Sequence, residues 1–363
     1  LILTPDQISA HVDAAFDIGS TNLRHLKCPA LQTARYETLI HAESENSTIQ
    51  YFFPLNLRQN LPILPTLLSS IIEAIRFLGP KNCILSIIEG NSPDGTAEVL
   101  SALRPRLEEL GVTYYLGTTA LDPSSSERIE KLAVLRNAAL QPLYDNPELF
   151  SEDAIIVFLN DVVACTEDIL ELTLQLQQLD ADMTCAMDWN DGKIPWFYDS
   201  WIARGIKGDL FFEWSTELGH KRDKDLFWNE PDTRKRFDAH LPFQVFSCWN
   251  GGVTFRARPL LEGLRFRGPD LEAGECVQGE PQVFCKDLWF RGYGKIAVVP
   301  SVNFGYTNVT GPRIKKKLGF ASDWTSEHSA EDESIQWIGP PDQVQCVDPW
   351  SKIYWQPWNE TLV

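Results

Sequence analysis

The chain's most apolar short run, Ala154-Ile155-Ile156-Val157-Phe158-Leu159, ends abruptly at Asn160-Asp161. Consecutive apolar residues bounded by Asx read as a strand buried on both faces, the kind found in parallel sheets covered by helices. Cys165 to Leu179 then reads as a helix, with Ile169, Leu172, Leu176 and Leu179 on one stripe. A carboxylate where such a strand empties at the sheet edge is where α/β enzymes hold a metal or a phosphate-bearing ligand, so Asp161 is the first candidate for function. Asx side chains also turn a strand into the next helix by bonding local backbone. A second acidic strand end in the same half, Met183 to Met187 followed by Asp188-Trp189, favours the functional reading.

Upstream, Leu64, Leu67, Leu68, Ile71, Ile72, Ile75 and Leu78 recur at helical spacing after Pro62 and Pro65, and Gly79-Pro80 stops them. Cys83 to Ile88 predicts a buried strand, Thr96 to Leu110 a helix and Val112 to Leu116 a strand. Such a βαβ unit implies parallel pairing and a right-handed crossover. Glu127 to Tyr144 predicts another helix, and Ile296 to Pro300 a last strand. The expected fold class is therefore α/β, a Rossmann-like, mostly parallel sheet with helices on both faces. Residues 1–48 read as an N-terminal arm or stem remnant, 49–338 as the main domain and 339–363 as a C-terminal wrap. Within the main domain, 51–188 form the α/β half and 189–338 a Trp-rich half with little periodicity.

The 363 residues carry a formal charge of -18, which gives a nucleic acid no basic field to meet. No apolar run approaches the roughly 18 residues of a membrane span. Leu1 in place of an initiator Met suggests a mature or truncated chain that has lost an upstream signal or anchor. Eight cysteines without a CxxC pair fit an oxidising compartment and disfavour zinc-finger and thioredoxin readings, but their pairing is not readable. Sequons at Asn46, Asn308 and Asn359 agree with a secretory route. No GxGxxG follows the strands, and neither a GxSxG elbow nor a Walker loop occurs.

Several clusters have the composition of a site. Glu89, Ser92 and Asp94 lie in a Gly-containing loop after a strand, where they could meet a nucleoside or simply turn the chain and cap the next helix. Arg128, Lys131 and Arg136, with Asn137, share a broad helix face and could neutralise a diphosphate. Trp189, Trp196, Trp201, Trp214, Trp228 and Trp249 supply indole faces for the apolar face of a sugar, a couple of them in the site and the rest in the core. Asp188, Asp199 and Arg204 stand nearby for its hydroxyls. Trp249-Asn250-Gly251-Gly252 allows close backbone approach. Glu280 and Asp287 are the candidate catalytic acids, placed near Cys276 and Cys285, and His328 is a candidate metal ligand beside Asp161. Arg313, Lys315, Lys316 and Lys317 read as solvated surface.

Together these segments resemble the fungal capsule-associated mannosyltransferase family. The resemblance rests on YFFPLNLRQN at Tyr51, ILSIIEGNSPDGT at Ile84, RIEKLAVLRNAAL at Arg128 and FLNDVVACTEDIL at Phe158. It continues through CAMDWN at Cys185, YDSWIARGIKGD at Tyr198, CWNGG at Cys248 and CKDLW at Cys285. It implies a GT-A glycosyltransferase fold, a sugar-nucleotide donor, a glycan acceptor, a divalent cation such as Mn2+ and a Golgi-lumenal domain on a type II anchor absent from this chain. Enzymes of that kind end the central strand in Asp-x-Asp, whereas this chain has Leu159-Asn160-Asp161. Asp161 is then the metal ligand and Asn160 a donor contact. Glu89, Ser92, Asp94, Arg136 and Asn137 fall by position to the donor. The implied reaction moves mannose from GDP-mannose to a mannoside with retention, forming an α-1,3 bond. Open alternatives are a carbohydrate-binding protein without turnover and a transferase of another sugar nucleotide or a phosphosugar.

Overall fold

In the computed structural model, β1 (Ile49–Leu57), β2 (Cys83–Glu89), β3 (Thr113–Thr118) and β4 (Phe150–Leu159) pair in parallel in the order β3-β2-β1-β4. The structure describes residues 3–20, 23–42, 48–124, 127–190, 192, 195–214, 225–348, 352–359 and 361–362. The later strands are β5 (Met183–Asn190), β6 (Trp196–Phe197), β7 (Arg204–Gly205), β8 (Phe243–Ser247), β9 (Gly252–Arg256) and β10 (Ile296–Phe304). They extend the same sheet as β4-β9-β5-β10-β8-β7, with β6 on β5. Because β9 runs antiparallel to both β4 and β5, those two are parallel to each other, and β10 is parallel to β5. Strands β1 to β5 and β10 therefore all finish at one edge.

Alternation along β4 shows why the run at Ala154 is so apolar. Ile155, Val157 and Leu159 join the core on one face, and Ala154, Ile156 and Phe158 the core on the other. The first face is covered by the helices Pro5–Phe16, Leu64–Leu78 and Thr166–Gln178, and the second by Arg128–Ala139 and Glu280–Phe290. Helices on both faces of a mixed, mostly parallel sheet are the expected α/β class.

Prolines account for the differences from the sequence pattern. The helix expected over Thr96 to Leu110 divides into Thr96–Ala102 and Arg104–Leu110, and that over Glu127 to Tyr144 into Arg128–Ala139 and Gln141–Asp145. Pro105 and Pro142 each sit in the first turn of the second piece, where a missing N–H is tolerated. Strand β10 runs four residues beyond the expected stop at Pro300, and a register shift against β5 between Val298 and Asn303 absorbs the proline.

The N-terminal arm lends Leu3, Val12, Phe16, Tyr36 and Leu39 to the core. One sheet takes strands from both halves, 51–188 and 189–338. At the other end, β11 (Gln343–Asp348) and β12 (Lys352–Pro357) form a hairpin. Disulfides join Cys28 to Cys165, Cys185 to Cys248 and Cys276 to Cys346, while Cys285 remains a buried thiol. Among the described residues no helix is long and apolar enough to cross a membrane. The sequon at Asn46 lies outside the described residues.

Candidate functional site

The shared strand edge gathers most of the polar groups that matter. Leaving β1, the chain turns through Asn60, whose Oδ1 accepts the Arg58 N–H at 2.6 Å and whose N–H donates to Thr96 Oγ1 at 3.1 Å. With its backbone held, Asn60 donates through Nδ2 to Asp161 Oδ2 at 3.0 Å. Asp161 is thus fixed just past β4, and burial raises its carboxyl above the usual carboxylate range despite the bond from Asn60. Its neighbour Asn160 donates its N–H to the Gly251 carbonyl at 2.9 Å and accepts the Trp249 indole N–H at 3.0 Å.

The Trp249-Gly252 turn closes against this edge under tight sterics. Gly251 has φ +80°, and a Cβ there would meet Val162, the Tyr306 hydroxyl and Asp188 at 3.1 to 3.3 Å, so the position admits only glycine without strain. Behind it, Asp188 is fully buried, accepting the Asp199 N–H at 3.1 Å and the Tyr306 hydroxyl. Asp199 in turn accepts the Asn250 N–H at 2.8 Å. Burial, then the neighbouring Asp199, lifts the Asp188 carboxyl well above its ordinary value, and burial pushes Asp199 up to about 6.

On the opposite wall, Arg136 donates through Nε to Glu280 Oε1 at 2.8 Å, and its guanidinium lies 4.0 Å from the Trp249 ring centroid. The indole face receives the cation where water is largely excluded.

Two adjoining cavities open over these groups. One of about 650 Å³ is lined by Arg136, Asn160, Asp199, Trp201, Glu280 and Tyr306, among others. The other, about 250 Å³, lies over the ends of β1 and β2 and is lined by Asn56, Asn60, Ile88, Gly90, Thr119 and their neighbours. Asp161, Arg128 and Leu132 line both. A further cavity of about 710 Å³ lies under the N-terminal arm around Cys28 and Glu167, apart from these residues.

Several expected site residues are placed elsewhere. Glu89 accepts the Asn91 and Ser92 N–H groups at 2.9 and 2.8 Å, Ser92 Oγ accepts the Gln59 N–H, and Asp94 accepts from Leu61 and Thr96. These side chains shape the loops that frame the smaller cavity and are not in its lining. Asn137 spends its amide on the Phe266 backbone, donating at 2.7 Å and accepting at 3.0 Å, and Lys131 lines neither cavity. Trp189 is core, its indole bonded to Asn303 Oδ1 at 2.7 Å. Arg204, fully buried, donates to the carbonyls of Gln345, Trp201 and Ala203 and so anchors the C-terminal hairpin.

Asp287 accepts from Arg267 Nε and Nη2, each at 2.8 Å, and lies in a separate cavity with Glu275 and Thr361, so of the two candidate catalytic acids only Glu280 faces the cleft. Of the two cysteines near these acids, Cys276 pairs with Cys346 and Cys285 is a buried free thiol. His328 is not beside Asp161: it lies near His240 and Asp332, where their charges act on one another. In the basic run, Lys315 is buried and pairs with Asp168 at 2.6 Å. Of the six tryptophans, Trp201 and Trp249 line the larger cavity.

Sequence reasoning missed Asn60, Tyr198 and Tyr306. Asn60 and Tyr198 stand inside the quoted stretches at Tyr51 and Tyr198, and Tyr306 follows the true end of β10, hidden by the stop expected at Pro300.

No group of three or more His, Cys, Asp or Glu side chains converges among the described residues. One carboxylate braced by Asn60 does fit a cation brought in with a phosphate ligand, since such ions use one or two protein carboxylates and complete their shell with phosphate and water.

The family model described as Cryptococcal mannosyltransferase 1 matches residues 50–287. The chain is 36% identical over 347 residues to alpha-1,3-mannosyltransferase CMT1 of Cryptococcus neoformans var. neoformans, a match covering 86% of this chain and 73% of that protein. Among solved structures, the mannosyltransferase PcManGT of Pyrobaculum calidifontis in complex with GDP-Man and Mn2+ is 11% identical with a TM-score of 0.41, covering 82% of this chain and 65% of that one. GalNAc-T7 with UDP, GalNAc and Mn2+ is 14% identical with a TM-score of 0.42, covering 84% and 52%. This chain spans less than two thirds of either solved chain.

Proposed function

Because this chain belongs to the cryptococcal mannosyltransferase family, we propose that it moves mannose from GDP-mannose to a mannoside acceptor, making an α-1,3 bond with retention. The observation that carries the reading is the position of Asp161, the acid common to the walls of two adjoining cavities. A GT-A-type transferase needs that arrangement, with a nucleoside on one side, a sugar acceptor on the other and a charged diphosphate between.

In this reading the nucleoside enters the smaller cavity, where Asn56 and Asn60 offer amide groups and Gly90 leaves room. Arg128, which lines both cavities, meets the diphosphate. Asp161, braced by Asn60, holds a divalent cation such as Mn2+, which when bound offsets the charge that develops on the departing GDP. Asp199 and Glu280 line the larger cavity and accept hydrogen bonds from acceptor hydroxyls, with Glu280 oriented by Arg136. Trp249 supports that wall from below by stacking under Arg136. The three disulfides support a secretory-pathway compartment, and we take the Golgi lumen as the site of catalysis.

Purified protein offered a panel of sugar nucleotides with a mannoside, with Mn2+ or with chelator, should release GDP from GDP-mannose alone and only with the metal. Turnover of another donor would overturn the donor assignment, and full activity in chelator would remove the metal. A single acid where two are usual gives weight to a second reading, a carbohydrate-binding protein without turnover. Mannoside binding with no GDP release would select it.

A further inference from the structure

Tyr198 lines the larger cavity half exposed, at 51%. A large ring left exposed in a cleft is the informative exception to burial, and this one is firmly mounted. The Tyr198 N–H donates to the Asp188 carbonyl at 3.0 Å, and the next residue, Asp199, donates its N–H to Asp188 Oδ1. The ring is braced by Tyr306, with centroids 4.8 Å apart and planes tilted by 52°.

We propose that Tyr198, backed by Tyr306, is the platform on which the acceptor pyranose lies, a role that rests on the transferase reading above. The chemistry around the ring selects the ligand class. Asp199 and Glu280 line the same cavity beside the ring and can accept hydrogen bonds from a polyol's hydroxyls. The smaller cavity, assigned to the nucleoside, does not have Tyr198 in its lining. A ring face beside hydrogen-bond acceptors suits a neutral polyol. A pyranose presents a face of C–H groups to the ring and a rim of hydroxyls to Asp199 and Glu280.

The test titrates methyl α-mannoside into the GDP- and Mn2+-loaded parent, Tyr198→Ala and Tyr198→Phe, followed by saturation-transfer NMR, with GDP titrations and thermal melts alongside. Tyr198→Ala should weaken mannoside binding roughly tenfold, in keeping with the size of aromatic contacts. GDP affinity and melting temperature should stay as in the parent, and Tyr198→Phe should bind the mannoside as the parent does. Unchanged mannoside affinity in Tyr198→Ala, or an equal loss of GDP affinity, would overturn the platform. Mannoside binding that depends on Tyr198 in a parent that releases no GDP from GDP-mannose would keep the platform and overturn the transferase reading instead.

Discussion

Arg136 and Glu280 are joined Nε to Oε1 at 2.8 Å, and the bond ties the helix before β4 to the helix before β10 across one face of the sheet. Both side chains are nearly buried, so the pair holds the cleft wall together as well as facing it. Removing one partner strands the other charge out of water, and Glu280→Ala should cost about 3–5 kcal/mol. Glu280→Gln keeps a hydrogen-bond acceptor and should cost less while still lowering turnover. Denaturant unfolding beside GDP-release rates separates the two effects. Equal stability in both variants and the parent would show that the pair does not brace the wall.

Asp161→Asn should abolish transfer and Mn2+-dependent GDP binding, because a neutral amide is a poor partner for a hard cation. Its melting temperature should not fall. Burial already disfavours the ionised carboxylate, and an amide is neutral in the same place. Calorimetric titration of GDP with and without Mn2+ reads the binding half, and a thermal melt the other. Undiminished Mn2+-dependent binding in the variant would remove Asp161 as the ligand.

Trp249 packs edge-on against Phe158 and Phe266 and is almost fully buried. Trp249→Ala should therefore lose about 3–5 kcal/mol, with donor and acceptor binding failing together. Trp249→Phe gives up chiefly the indole bond to Asn160 and should cost about 1 kcal/mol. Thermal melts with separate GDP and mannoside titrations check both. Selective loss of mannoside binding in a stable Trp249→Ala protein would make Trp249 a sugar contact instead.

Acid should weaken the fold through Glu275. Burial alone would raise its carboxyl, but charge-assisted bonds from Arg267 at 2.7 and 2.9 Å and from Lys286 at 2.9 Å prevail and hold it well below the usual range. A carboxyl depressed on folding contributes stability that is complete above its unfolded pKa, about 4.3, and is lost as pH falls toward the folded value. Melting temperature should drop as pH is lowered from about 5 through 3, and the drop should be smaller in Glu275→Gln. An identical acid profile in that variant would place the loss elsewhere.

Much of the fold was legible because buried strands and amphipathic helices write their burial into local periodicity. The stripe from Leu64 to Leu78 predicted its helix at the observed bounds, and the run at Ala154 predicted the end of β4 at Leu159, though the strand begins four residues earlier, at Phe150. The place of Asp161 just past β4 was legible for the same reason, since the end of a buried strand is visible in sequence. Proline misled in both directions: the expected helices ran through Pro105 and Pro142, where the structure starts new ones, and the expected strand stopped at Pro300, which a register shift absorbs.

By itself the sequence determined the α/β class, the βαβ start and the acid at the end of β4, all properties of short windows in which pattern and burial agree. The tertiary structure decided which of many polar side chains share a wall. Glu280 meets Arg136 across 144 residues and faces the cleft, whereas Asp287, two turns along the same helix, turns to Arg267. Asn60 reaches Asp161 across 101 residues, and Tyr198 and Tyr306 meet only because β5 and β10 end side by side. Such contacts depend on strand order and side-chain direction, quantities that no local window of residues encodes.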